Sequence, residues 1–171
     1  VGDENQIAEK LNRVYSESAE KPCFVLSKER SWRLGGVYQI GIESMFPGYI
    51  FVDTEDPERL ETNVPVLAGK AKLPVGGQAI ALEPSEEEFL KKLLRNDPQH
   101  TVRRFLVQVD EAGEIVSAEG VIGELLGQIV RKRLRKRVVT LEIPFLGQMR
   151  HVELAIRVEG DLEKTMKEET L

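Results

Sequence analysis

The chain has 171 residues, of which 41% are apolar and 31% charged, and its formal net charge is −5. That length suits one ordinary domain or two small ones, and no apolar run reaches the ~18–20 residues of a membrane span. No signal peptide or lipidation motif is visible, and the one cysteine, Cys23, excludes an internal disulfide and fits a reducing cytoplasm.

From Asp3 to Ser18, Ile7, Leu11, Val14 and Tyr15 recur at the spacing of one helical face, which predicts an amphipathic helix. Cys23 to Leu26 reads as a short strand that runs into a basic, aromatic-bearing loop, and Gly35-Gly36 is a turn signal. VYQIGIE and YIFVD are strand-like. Between them, Phe46-Pro47-Gly48 is a bend: Pro47 fixes φ and has no N–H for a ladder, and Gly48 removes steric limits at the corner. After it Tyr49, Phe51 and Asp53 share one face, and Ile50 and Val52 the other, where they can pack on helices. DPERLETNV opens with helix-start chemistry, and GKAKLPV is a weak strand.

EPSEEEFLKKLLRN is the clearest helix. Ser85 and Glu88 have capping-box spacing, Phe89, Leu90, Leu93 and Leu94 form the buried stripe, and Glu86-Glu87-Glu88 suit the N-terminal end. Beyond Asn96-Asp97-Pro98 no helical period returns before the tail. RFLVQV, GQIVRKR, RVVTLEIPF and RHVELAIRV read as strands, the last two joined by a hairpin-sized LGQM. Val139, Leu141, Ile143 and Phe145 share a face, as do Val152, Leu154, Ile156 and Val158. Short strands in this number favour closure into a small barrel, because open edges expose unpaired backbone. The acidic tail from 161 to 171 reads as a frayed helix or as disorder. The expected fold is therefore α+β in two domains: an α/β sandwich over 1–97, a short linker at 98–102, and a small all-β barrel over 103–160.

No catalytic site is expected. Phosphate-loop, nucleophile-elbow and zincin motifs are absent. Cys23, His100 and His151 lack metal-ligand spacing, so neither metal nor cofactor is expected. His100 and His151 read as surface residues and Cys23 as a small buried hydrophobe.

The charge is uneven. RKRLRKR, Arg131 to Arg137, holds six of the 24 basic residues, and the rest of the chain has 18 against 29 acidic ones. A charge run is commonly just a solvated face, but six cations in seven residues repel one another, and a polyanion relieves that repulsion. With a turn at Leu134, both arms surround one hairpin. Arg133, Arg135 and Arg137 then offer forks to phosphates or guanine edges, Lys132 and Lys136 offer point charges, and Arg131 is a further RNA-binding candidate of the run. Arg150 and the neighbouring His151 are further candidates. The run has no aromatic residue, so structured RNA suits it better than stacked single strands.

FPGYIFV, following a helix that opens G-x-E-N-x-x-A-x-x-L (Gly2 to Leu11), resembles the N-terminal domain of the NusG family of transcription elongation factors, and EPSEEEFLKKLL is similar to its later helix. The stretch from Glu119 to Glu159 resembles the family's KOW domain. Order and spacing match from Gly2 to Glu159. GQIVRKRLRKRVVTLEI is most similar to the LoaP antiterminator branch. The resemblance implies a ferredoxin-like first domain, an SH3-like barrel and no enzymatic activity. It also implies a monomer working in the bacterial cytoplasm, bound to the clamp helices of RNA polymerase through Phe46, Pro47 and Tyr49, with Trp32 and Tyr38 as additions. Trp32 equally suits a core position. Arg30 and Arg33 face acidic polymerase surface, upstream or non-template DNA, or solvent, and Thr62 and Asn63 correspond to contacts with the opposite cleft wall. An RNA hairpin is the barrel's implied partner.

Two rivals stand beside this reading. One is a general factor that couples polymerase to Rho or the ribosome. The other is a ribosome- or RNA-binding KOW module without polymerase. In one respect the chain departs from the family: Gly120-Val121-Ile122-Gly123-Glu124-Leu125-Leu126-Gly127 lacks the aromatic G-P-F segment associated with the coupling contacts. The family's first central strand is also missing ahead of Gly2, so either the chain is trimmed or another segment is expected in that place.

Overall fold

The computed structural model describes residues 3–15, 23–55 and 80–165. The expected helix at 56–64, the weak strand at 69–75, Thr62 and Asn63 lie outside these residues. By packing, the chain falls into two compact units, Val1–Leu26 with Ser44–Ala81 and Ser27–Glu43 with Leu82–Leu171. This division interleaves along the chain, whereas the sequence suggested a linear cut near residue 97. The architecture is mixed α+β.

In the first unit, helix α1 spans Glu4–Tyr15, and residues 16–18 of the expected helix are outside the described range. Its apolar face places Ala8 and Leu11 against Cys23 and Val25, with Ile7, Ile50 and Val52 packed around them. Strand β1 (Cys23–Phe24) pairs antiparallel with β4 (Phe51–Val52), Cys23 opposite Val52 and Phe24 opposite Phe51. The Asn12 side chain completes this small sheet. Its Nδ2 donates to the Cys23 carbonyl at 2.7 Å, and its Oδ1 accepts the Cys23 N–H at 2.8 Å. A buried amide thus does for Cys23 what a neighbouring strand's backbone would do.

The FPGY corner is a β-turn. Phe46 O accepts the Tyr49 N–H at 3.1 Å, and Gly48 at the third position has φ +87°, the arrangement of a type II turn with Pro at the second position. Glu4 Oε1 also accepts the Gly48 N–H at 2.9 Å. As expected, Ile50 and Val52 face the helix cluster. Phe51, on the other face, is covered by Phe24 and Phe46, with ring centroids 6.1 and 6.0 Å away.

In the second unit, residues 27–34 correct the sequence reading. They form strand β2 (Ser27–Leu34) instead of a loop, and β2 neighbours β3 (Val37–Ser44). Gly35 and Gly36, with φ +59° and +84°, give the two positive values that a type I′ hairpin turn needs. Helix α2, Pro84–Leu94, starts earlier than the Ser85/Glu88 box suggested. Glu83 is the cap, Pro84 takes the first turn where its missing N–H costs nothing, and Glu86 Oε2 accepts the Glu83 N–H at 2.9 Å. Of the expected stripe, Leu90 and Leu93 are buried and Phe89 and Leu94 half-buried; Glu86 is buried as well.

The segment read as a linker contains β5 (Thr101–Val102), parallel to β2. Asp97 organises it: its Oδ1 accepts the Gln99 and Thr101 N–H groups, and its Oδ2 accepts Arg103 Nε at 2.7 Å. Next come β6 (Phe105–Val109) and β7 (Ile115–Ala118), the second of which was not foreseen. Also unforeseen is the short helix α3, Gly120–Glu124, where the sequence promised no helix. The remaining strands are β8 (Ile129–Arg133), β9 (Val138–Phe145) and β10 (Gln148–Val158). Finally β11 (Glu163–Thr165) pairs parallel with β3, so part of the supposed frayed tail is sheet.

Two sheets result, β11-β3-β2-β5 and β7-β6-β10-β9-β8. Among the described residues the second is open, with β7 and β8 as edges, instead of the hydrogen-bonded closed barrel that was expected. Its interior matches the predicted faces except at Val158, which is half-buried. Val139, Leu141, Ile143, Phe145, Val152, Leu154 and Ile156 are buried, together with Phe105 and Ile122. Phe89 of α2 meets Phe145 edge-on at 6.4 Å. The β9–β10 turn is Leu146-Gly147, both at positive φ, with Phe145 opposite Gln148. Among the described residues no helix is long and apolar enough to cross a membrane.

Candidate nucleic-acid interface

The basic heptad divides between an edge strand and a tight turn. Arg131, Lys132 and Arg133 end β8. Leu134–Lys136 form one turn of 3₁₀ helix, and Arg137 follows in the left-handed region at φ +54°. The turn anticipated at Leu134 therefore exists. In β8, a register shift between Ile129 and Arg131 leaves Val130 as the extra residue. Such bulges re-aim neighbouring side chains. Val130 is 52% exposed beside Arg131.

Three of the six cations are already paired. Lys132 reaches Glu114, and Arg133 bridges across β9 to Glu153 of β10, which is paired with Thr140, the β9 partner of Arg131. Arg137 is the most engaged. Its Nε and Nη2 donate to the two oxygens of Asp161 at 2.7 and 2.5 Å, its Nη1 donates to the Leu134 carbonyl, and its guanidinium lies 4.8 Å above the Tyr38 ring. Hydrogen bonding to the Asp161 carboxylate raises the Arg137 pKa above its ordinary value against the opposing effect of burial. Burial alone would raise the Asp161 carboxyl, but the hydrogen bonds from Arg137 and from the Val158 N–H, with the charges of Arg137 and Arg104, hold it below the usual range.

Arg131, Arg135 and Lys136 are exposed, and their side chains make no hydrogen bond or ion pair with another described residue. They are the unspent charge of the heptad. An edge strand bearing cations also protects itself from pairing with other sheets, and that accounts for Arg131 and Lys132. It does not account for Arg135 and Lys136, which stand on the turn, where no ladder is open.

Arg150 is not part of this group. It lies opposite Ile143 on the β9–β10 hairpin, five residues along β9 from the partner of Arg133, roughly 17 Å at the rise of a strand. It is half-buried, and its Nε donates to the Phe145 carbonyl at 3.1 Å. His151 is exposed, 3.3 Å from its cross-strand partner Glu142. His100 is half-buried with φ +51°.

The five residues assigned to polymerase are placed as follows. In the first unit Pro47 is exposed, Tyr49 half-buried, and Phe46 only 8% exposed. In the second unit Tyr38 is an interior residue at 6% exposure, and its hydroxyl donates to the Arg135 carbonyl at 3.3 Å. Trp32 is half-buried: the Arg30 guanidinium lies 4.8 Å from its ring, and a Cβ on Gly41 would come within 3.0 Å of it. Arg30 also pairs with Glu43, and Arg33 lies 5.8 Å from the Tyr38 ring. Phe46 and Tyr38 are thus packing residues, not exposed anchors.

Sequence reasoning missed Glu114, Glu153 and Asp161 as partners of the basic run, and Tyr38 as its support. All four come from elsewhere in the chain, and a local charge pattern contains no signal for them. No group of His, Cys, Asp and Glu able to hold a metal exists among the described residues.

The fold and site define a mixed α+β protein that presents a small cationic turn on an otherwise acidic chain. Neither a protein-family model nor a curated protein matches it.

Proposed function

We propose that this chain is a non-enzymatic transcription elongation and antitermination factor of the NusG kind, with a first domain like the family's N-terminal one and a KOW-like second one. It binds structured leader RNA through the β8–β9 turn and RNA polymerase through the exposed part of the FPGY corner. The observation that carries the RNA half is the trio Arg131, Arg135 and Lys136: exposed, without a hydrogen bond or ion pair among the described residues, Arg131 on strand β8 and the other two on the turn that follows it. On a chain of net charge −5, such a concentration of cations makes a local positive potential that a polyanion would neutralise. The polymerase half is supported by the sequence resemblance together with exposed Pro47 and half-buried Tyr49.

The test is a gel-shift titration with hairpin and unstructured RNA across a salt series. Three phosphate contacts correspond to a log K slope of roughly −2 to −3 against log salt. Arg131→Glu with Arg135→Glu should abolish hairpin binding and leave capture by isolated polymerase clamp helices intact. Tyr49→Ala, with its fold checked by circular dichroism, should do the reverse. A transcription assay across a terminator, with and without the hairpin upstream, reads the combined activity. A flat salt response in the parent, or loss of both partners from one charge reversal, sinks the proposal.

A further inference from the structure

The most engaged arginine of the heptad is the one least able to contact a ligand. The side-chain N–H groups of Arg137 point at Asp161 and at the Leu134 carbonyl, one face of its guanidinium lies over Tyr38, and its side chain is only 17% exposed. Its own backbone is tied as well. The Arg137 N–H donates to Leu134 O, and Arg137 O accepts the Ile156 N–H at 2.8 Å. The left-handed φ of a non-glycine residue costs energy that this network must offset.

Tyr38 joins the same network from below. Its N–H donates to the Leu162 carbonyl at 2.8 Å, and its hydroxyl donates to the carbonyl of Arg135, one of the free cations. Asp161 is itself held by the Val158 N–H. The turn carrying Arg135 and Lys136 is therefore braced from β3 through Tyr38, and from the segment after β10 through Asp161.

We propose that Tyr38, Arg137 and Asp161 are positioning residues of this turn. They set the geometry of Arg135 and Lys136, and Arg137 does not itself touch the nucleic acid. The proposal rests on the RNA reading above and deepens it: the contact set is the free trio, and the brace reduces the ordering that binding would otherwise require. It makes a prediction opposite to that of simple electrostatics. Asp161→Asn removes a negative charge from the neighbourhood of the site, so a charge-only view expects tighter RNA binding. A brace expects weaker binding, because the turn loosens.

The experiment uses the full chain, ¹⁵N-labelled, as parent, Asp161→Asn and Arg137→Lys. The ¹H–¹⁵N heteronuclear NOE of residues 134–136 reads the order of the turn in the free protein, and hairpin RNA titrations over a salt series read affinity and slope. Both variants should lower the NOE and weaken binding about tenfold, for two side chains that must now be ordered on binding. The salt slope should stay at the parent value, because no phosphate contact is lost. Arg137→Lys separates the roles, since a lysine retains a point-charge contact but cannot make the fork to Asp161. Unchanged or tighter RNA binding by Asp161→Asn, or binding at the parent level by Arg137→Lys, which keeps the charge but not the fork, overturns the proposal. If one variant melts below the assay temperature, the other decides by the same two readings. Should the parent bind no hairpin RNA, the functional reading fails, and the NOE still decides whether the brace exists.

Discussion

Asn12 lies on the apolar side of α1, where a sequence pattern has no reason to place an amide. Both ends of that amide serve the Cys23 backbone, so Asn12→Leu leaves a buried N–H and C=O unsatisfied, at a cost of about 2–4 kcal/mol for the pair; chemical denaturation monitored by circular dichroism measures this. Burial pushes the Cys23 thiol up to about 11. It should therefore resist alkylation at pH 8 in the native protein and react fully after denaturation, as mass spectrometry will show. Asp97, Glu119 and Asp161 all have carboxyls held below their ordinary values of 3.8, 4.5 and 3.8. In each, burial favours the neutral form, and hydrogen bonds with nearby arginine charge outweigh it. The folded-state pKa is the lower one, so each carboxyl contributes stability that is present above its ordinary value and lost as pH falls through that range. Asp97→Asn should flatten this acid dependence in urea titrations at pH 6, 4 and 3.

Among the elements, the β9–β10 hairpin shows how local and distant forces divide. Its alternating apolar residues are legible in the sequence, and so is the shortness of its turn. The turn puts Leu146 at φ +54°, a conformation that a leucine side chain disfavours and asparagine tolerates. Leu146→Asn should therefore stabilise the protein by about 0.5–1 kcal/mol, seen as a rise in Tm of a few degrees. Helix α2 teaches the same lesson at its start. Ser85/Glu88 and Glu83/Glu86 share the capping-box spacing, and Pro84 decides for Glu83, because a proline fits best at the first helical position. The β2 strand was misread because its sequence, SKERSWRL, lacks apolar alternation. It becomes a strand through β3 on one side and β5 on the other.

For the molecule as a whole, the linear cut at residue 97 and the packing division make different demands. Strands β2 and β3, residues 27–44, supply the partners for β5 and β11. Glu29 of β2 receives Arg103 and Arg104, and Arg104 also pairs with Glu163 of β11. A fragment covering 98–171 alone should therefore fold poorly: it loses both pairings and leaves Arg104 and buried Val102 without their cover. Amide dispersion in a ¹⁵N spectrum and dye binding to exposed apolar surface will show this. A fragment as well dispersed as the intact chain would mean that the strands after β5 are self-sufficient.

The sequence by itself determined the amphipathic helix, the capped helix near residue 90, the apolar faces of β9 and β10, and the presence of a concentrated cationic turn. Each of these follows from neighbours a few residues apart, whose period or spacing a linear reading contains. Tertiary structure alone decided that Tyr38 and Phe46 lie inside, that Arg150 stands apart from the heptad, and that Arg137 is committed to Asp161 while Arg131, Arg135 and Lys136 find no ion-pair partner among the described residues. Those outcomes depend on which distant carboxylate or ring the fold brings within a few ångströms, and charge pairing at that range leaves no trace in local order.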